Sequence, residues 1–183
     1  MSTDRDLDIV VYGATGFTGR LVCEYLYSQY GLDGEVSWAM AGRSQQKLEQ
    51  IRDELAIPEA VTLVVADAGD PDSVQAMVQR SKVVLTTVGP YQLYGSDLVK
   101  ACAEAGTDYV DLCGEPAWMH EMIGAYGDAA KASGARIVFS CGFDSIPFDL
   151  GVHYLQQIAA EDQQAPLTRV KGRVRGMNGT MSG

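Results

Sequence analysis

The chain has 183 residues, 46% hydrophobic and 21% charged, enough for one sizeable core or for one domain and part of a second. A net charge of −10 repels a phosphate backbone over most of the surface and argues against nucleic acid as a partner. No apolar run approaches the roughly 20 residues that span a bilayer, so no transmembrane segment is expected.

Residues 1–7 are polar and acidic and lack the basic start, apolar middle and cleavage site of a secretory signal, so they read as a disordered lead. Ile9 to Tyr12 reads as a buried strand. The following helix runs from about Phe17 to Tyr30, with Phe17, Leu21, Val22, Tyr25 and Leu26 on its inner face and Gly31 as its stop. Val36 to Ala41 is a second strand and Ser44 to Leu55 a polar helix, ended by Pro58. Val61 to Ala66 is a third strand, and Asp70-Pro71 has the cap and first-turn chemistry of a helix start. Lys82 to Val88, Tyr109 to Leu112 and Arg136 to Ser140 are further strands, separated by helices from Ser96 to Ala105 and from Ala117 to Ser133.

Continuous apolar strands alternating with helices predict an α/β fold, a doubly wound parallel sheet of Rossmann type over residues 8–150. Beyond it, residues 151–183 read differently. Phe148 to Ala160 continues as a helix, residues 163–166 as a turn, and Leu167 to Arg175 as a strand in which Arg169, Lys171, Arg173 and Arg175 alternate with Val170, Gly172 and Val174. The expectation is a linking helix and the first strand of a truncated, largely antiparallel second domain, since a lone strand is not stable.

The first strand runs into Gly13-Ala14-Thr15-Gly16-Phe17-Thr18-Gly19 and then a helix, the context in which spaced glycines signal dinucleotide binding. Gly13 permits the tight turn, Gly16 lets the backbone approach a pyrophosphate, and Gly19 allows close packing of helix on strand. Amides at the helix N-terminus would face the diphosphate, with the Thr15 and Thr18 hydroxyls beside them. An NAD site needs a carboxylate at the end of the second strand. Here Arg43 and Ser44 stand in its place, suited to the 2′-phosphate of NADP, with Lys47 a turn later. A surface arginine and a serine that only caps the next helix are the alternatives. Asp67, at the end of the third strand, is expected to frame the adenine or to make a turn. Gly89, Pro90 and Tyr91 close the fourth strand on the nicotinamide side, where Tyr91 and Tyr94 either cover the cofactor or pack.

Several segments together resemble the saccharopine dehydrogenase-like oxidoreductases: the glycine loop, Ala41-Gly-Arg-Ser44, Val88-Gly-Pro-Tyr91, Tyr109-Val-Asp-Leu-Cys-Gly-Glu115 and Cys141-Gly-Phe-Asp-Ser-Ile-Pro147. The resemblance covers residues 8–155 and is nearest to the trans-acting enoyl reductase branch. It implies an NADP-binding domain followed by an α+β domain that completes the substrate cleft and mediates dimerisation, so the partners would be a small-molecule or acyl substrate and a second copy.

Hydride transfer is cofactor chemistry, so the protein must position, exclude water and move a proton. The polar groups at the ends of the fifth and sixth strands are Glu115, Asp144 and Ser145. Asp144 serves as an acid if burial raises its pKa, with Ser145 as a donor; equally, both make the turn before Pro147. Cys113 and Cys141 either line the nicotinamide pocket or are small buried hydrophobes. No Tyr-x-x-x-Lys pair is present, which weakens simple carbonyl reduction. His120 and His153 fall on helices, far apart. With Cys23, Cys102, Cys113 and Cys141 showing no C-x-x-C spacing, no metal site or disulfide framework is expected, a pattern that suits a reducing cytoplasm. The expected function is NADP-dependent reduction of a C=C (enoyl) or C=N bond. The alternatives are a non-catalytic NADP-sensing module and a relative that has lost the cofactor.

Overall fold

The computed structural model describes residues 5–162 and 165–176. Six strands, β1 (Leu7–Tyr12), β2 (Trp38–Gly42), β3 (Thr62–Val65), β4 (Ser81–Thr86), β5 (Asp108–Val110) and β6 (Ile137–Val138), form one sheet in the order β3-β2-β1-β4-β5-β6. All neighbouring pairs are parallel. The connections carry helices α1 (Phe17–Tyr30), α2 (Gln45–Glu54), α3 (Pro71–Arg80), α4 (Tyr91–Tyr94), α5 (Ser96–Ala105) and α6 (Pro116–Ser133), and α7 (Ile146–Glu161) follows the last strand. This is the expected doubly wound fold.

Alternation along β1 sets up the two layers. Val10 is fully buried in a core shared with Val74, Leu98 and Tyr109, while Val11 is fully buried in a second core with Cys23, Met40 and Leu48. Right-handed crossovers explain the division, because chain running outward from β1 and chain returning through β4 must cross on opposite faces. The connections leave the carboxyl ends of β1 and β4 in opposite directions, and that switch point is where an open α/β sheet receives a ligand,.

Four local expectations change. The lead is anchored at its inner end: Arg5 donates to the carbonyls of Ala105 (2.6 Å) and Gly106 (3.0 Å) at the C-terminus of α5, Asp6 pairs with Arg80 at 2.6 Å, and Leu7 starts β1. Residues 1–4 lie outside the described residues. In α1 the buried residues are Gly19, Cys23 and, as expected, Leu26, whereas Phe17, Leu21 and Tyr25 are exposed. The helix carries two apolar stripes, and the one containing Gly19 faces in because only a glycine can touch the loop backbone. The four-residue α4 was not expected from sequence. Residues 167–175 form no strand, and no strand lies beside them among the described residues to take their backbone bonds. Instead the Gln156 side chain, on α7, accepts from Leu167 N (2.9 Å) and donates to Leu167 O (2.8 Å). Part of the expected turn, residues 163 and 164, lies outside the described residues. Among those described, no helix is long and apolar enough to cross a membrane.

Candidate functional site

Where β1 ends, Gly13 adopts a φ of +95°, a conformation side chains rarely take,. A Cβ there would also stand 2.7 Å from Thr87 Oγ1. At Gly19 an added Cβ would be 2.1 Å from the Gly13 carbonyl oxygen, so this glycine brings α1 against the loop. Gly16 differs: the one atom near an added Cβ is the Gly13 oxygen, at 3.3 Å, and the remaining side is open. A missing side chain at Gly16 therefore leaves room outside the loop, as a close-lying anion would need. The amides of Gly13 and Ala14 both donate to Ala41 O (3.0 Å) and that of Gly16 to Gly13 O (2.9 Å). Those of Thr15, Phe17, Thr18 and Gly19 take no acceptor among the described residues, as at the first turn of any uncapped helix.

Beside the loop lies a cleft of about 270 Å³. It gathers five of the residues expected at a nucleotide site, Gly13, Thr15, Arg43, Asp67 and Gly89, together with Tyr94. It also gathers Tyr12, Gly42, Ala68 and Val88, to which the sequence had assigned no part in the site. All four sit where a strand runs out at its carboxyl edge, and that position was the signal available. Tyr12 ends β1 at the cleft. Its ring is buried, and its hydroxyl is pushed up to about 12, first by burial and then by the Asp67 carboxylate, with the Ala68 backbone and the Arg43 guanidinium opposing.

Arg43 is exposed and follows β2 with no carboxylate near it in sequence. Ser44 is the N-cap of α2, its Oγ accepting from Lys47 N at 3.3 Å, so the capping alternative is realised. An accepting hydroxyl keeps its own proton to donate, and the two uses are compatible. Lys47 itself is exposed. Asp67 makes a turn, Oδ1 accepting from Gly69 N at 3.0 Å. Ala14 is buried beneath the loop, and Phe17 is 68% exposed at the start of α1.

At the other end of the cleft, Gly89 and Pro90 are joined by a cis peptide. Tyr91 turns away from the cleft. Its ring is buried 5.7 Å from that of Trp118, its hydroxyl donates to Thr86 O (3.3 Å), and Leu112 N donates back to it (3.4 Å). Burial raises that phenol. Glu115 does not face the opening either, because its two oxygens accept from Tyr91 N (2.7 Å) and Gln92 N (2.9 Å).

The buried carboxylate in this region is Asp111, which the sequence reading did not single out. It is 3% exposed, takes the Tyr109 hydroxyl at 2.7 Å on one oxygen and the amides of Cys113 (3.0 Å) and Ser140 (2.7 Å) on the other. Its pKa is raised, first by burial, with these bonds opposing. Asp111 thus ties the loop after β5 to the loop after β6. Burial likewise raises the Cys113 and Cys141 thiols, which favours their protonated forms at neutral pH.

Asp144 is exposed, so the burial on which an acid role rested is absent. Ser145 is the N-cap residue of α7, yet its side chain makes no cap bond. Its amide closes a turn to Gly142 O (3.2 Å). His120 and His153 are exposed on α6 and α7.

The chain is 48% identical, over all 183 residues, to a Mycobacterium tuberculosis protein named among the trans-acting enoyl reductases, of which it covers 43%. It is 50% identical over 162 residues, 88% of the chain, to a trans-acting enoyl reductase of Mycobacterium ulcerans, of which it covers 38%. The chain therefore spans about two fifths of the length of these relatives. Among solved structures, apo saccharopine dehydrogenase (L-Glu forming) from Saccharomyces cerevisiae shares the fold, with a TM-score of 0.58 and 16% identity over 86% of this chain and 31% of that one. Residues 9–138, from the second half of β1 to the last residue of β6, match one family along their whole length. The chain belongs to the saccharopine dehydrogenase NADP binding domain family.

Proposed function

We propose that the cleft holds NADP(H) and that the chain is the dinucleotide-binding part of an oxidoreductase acting on a C=C (enoyl) or C=N bond of a small or acyl substrate. One observation carries this reading: a glycine loop with amides that find no acceptor among the described residues borders a cleft whose other rim, at the end of β2, offers the Arg43 guanidinium and no carboxylate.

The bound nucleotide supplies the hydride. The chain's part is to hold and orient it. The amides of Thr15, Phe17, Thr18 and Gly19, at the positive end of α1, suit the diphosphate. The fork of Arg43 and the free proton of Ser44 suit the 2′-phosphate. Tyr12 and Asp67 border the adenine side, and Gly89 with Pro90 the nicotinamide side. The names of the relatives favour the enoyl over the imine substrate. Asp144 and Ser145, on the loop after β6, are the proposed proton donor and hydrogen-bond donor, with Asp144 requiring cover from the rest of the parent protein. The unpaired cysteines support a cytoplasmic location,, and dimerisation is assigned to the parent's second domain.

Calorimetric titration with NADP and NAD tests the cofactor reading. Arg43→Ala should weaken NADP binding by about 1–3 kcal/mol, the range for a charge-assisted contact, and leave NAD almost unchanged. Equal losses overturn the assignment. The exposure of Asp144 favours a second reading, an NADP-sensing module without turnover. NADPH consumption by the full-length parent with unsaturated acyl substrates separates the two.

A further inference from the structure

The loop that follows β4 reaches the cleft from both its ends: Gly89 precedes α4 and Tyr94 closes it, and both line the cleft. A helix of four residues has no stability of its own, so something outside it fixes its place. Glu115 does so from 23 residues away, one oxygen on the Tyr91 amide and the other on the Gln92 amide. These are the first two donors of α4, and a carboxylate bonding both satisfies them at the helix's positive end. Tyr91 adds a second fastening through its buried ring on Trp118 and its hydroxyl between Thr86 and Leu112. The wall of the cleft is thereby carried by the segment between β5 and α6.

We propose that Glu115 is a positioning residue for the cofactor: it touches no ligand, and by clamping the start of α4 it holds Gly89 and Tyr94 at the distance from the glycine loop that a bound dinucleotide requires. The inference rests on the NADP reading above. Freeing α4 lets the wall sample other positions, and apparent affinity falls by the fraction of molecules in which it is correctly placed.

The experiment is a double-mutant cycle on this chain, with NADPH binding followed by its fluorescence and folding followed by thermal melting. Glu115→Ala is expected to weaken NADPH about tenfold, Tyr94→Ala to weaken it on its own, and the double variant to be no weaker than the poorer single one, because both act through one wall. Glu115→Gln, which keeps one acceptor oxygen, should recover part of the loss, and it carries the test should Glu115→Ala fail to fold. Losses that multiply in the double variant, or an affinity unchanged within about twofold in Glu115→Ala and Glu115→Gln, overturn the proposal while leaving the cofactor reading intact. An unmodified chain that binds no NADPH overturns both.

Discussion

A single methyl group at Gly19 would stand 2.1 Å from a carbonyl oxygen of the loop that α1 rests on. Backbone on both sides cannot yield as a side-chain tip would. Gly19→Ala should therefore destabilise by about 1–3 kcal/mol, the cost of overpacking, outweighing the gain of about 1 kcal/mol in helix propensity. Urea denaturation checks this, and NADPH affinity should fall with it. The geometry around the glycines, Arg43 and Ser44 was legible in the sequence because it is local: the turn, the end of β2 and the start of α2 lie within one crossover. Glu115 and Asp111 were not legible as what they are. Gln92 lies 23 residues from Glu115 and Ser140 29 residues from Asp111, and the register that brings them together follows only from the finished sheet. An acid role for Asp144 was conditional on its burial, which a place in a loop does not reveal, and Asp144 is exposed.

Helix α3 shows how much an element can announce. Asp70 caps it, Oδ1 accepting from Asp72 N at 3.2 Å, with Pro71 in its first turn. Asp70→Ala should cost about 1 kcal/mol, seen as a lower urea midpoint with an unchanged slope. Helices α1 and α5 fell at their expected bounds because a glycine ends each with its amide on a carbonyl of the last turn. Helix α4 gave no such sign, being held by a residue outside itself. For α1, apolar periodicity named too broad a face: Leu26 is buried and Val22 packs on the core as expected, whereas Phe17, Leu21 and Tyr25 are exposed and Gly19 and Cys23 turn in instead. The alternation over 167–175 was read correctly as a pattern, but a strand exists only where a neighbour takes its bonds.

At the scale of the molecule, charge pairs fasten the amino end of β1 to the strands beside it. Asp8 meets Lys82 of β4 at 2.6 Å and the amide of Ser37, ahead of β2, at 2.8 Å. These partners hold its carboxyl at about 2 against an ordinary 3.8, with the Lys82 bond the largest cause. The folded value lies below the unfolded one, so the contribution is whole above pH 3.8 and is lost as pH falls toward about 2,. Asp8→Asn should lose stability at neutral pH yet show a smaller further loss on acidification, measured by denaturant titration across that window. Asp111 has the opposite sign: its raised value favours folding in acid, and that contribution is whole below pH 3.8 and is lost as pH climbs from there through the raised folded value,. Saturating NADPH, at about 100 times its dissociation constant, should add about 2.7 kcal/mol and lift the melting temperature by roughly 5–10 °C. The strand order β3-β2-β1-β4 also has a consequence for biosynthesis. Because β1 sits centrally and pairs with β4, more than 70 residues downstream, a ribosome must release the stretch through Tyr94 before any nucleotide can be captured. Cofactor capture by stalled nascent chains of increasing length should begin abruptly once that stretch has emerged, which makes the nucleotide a timer for assembly of the sheet.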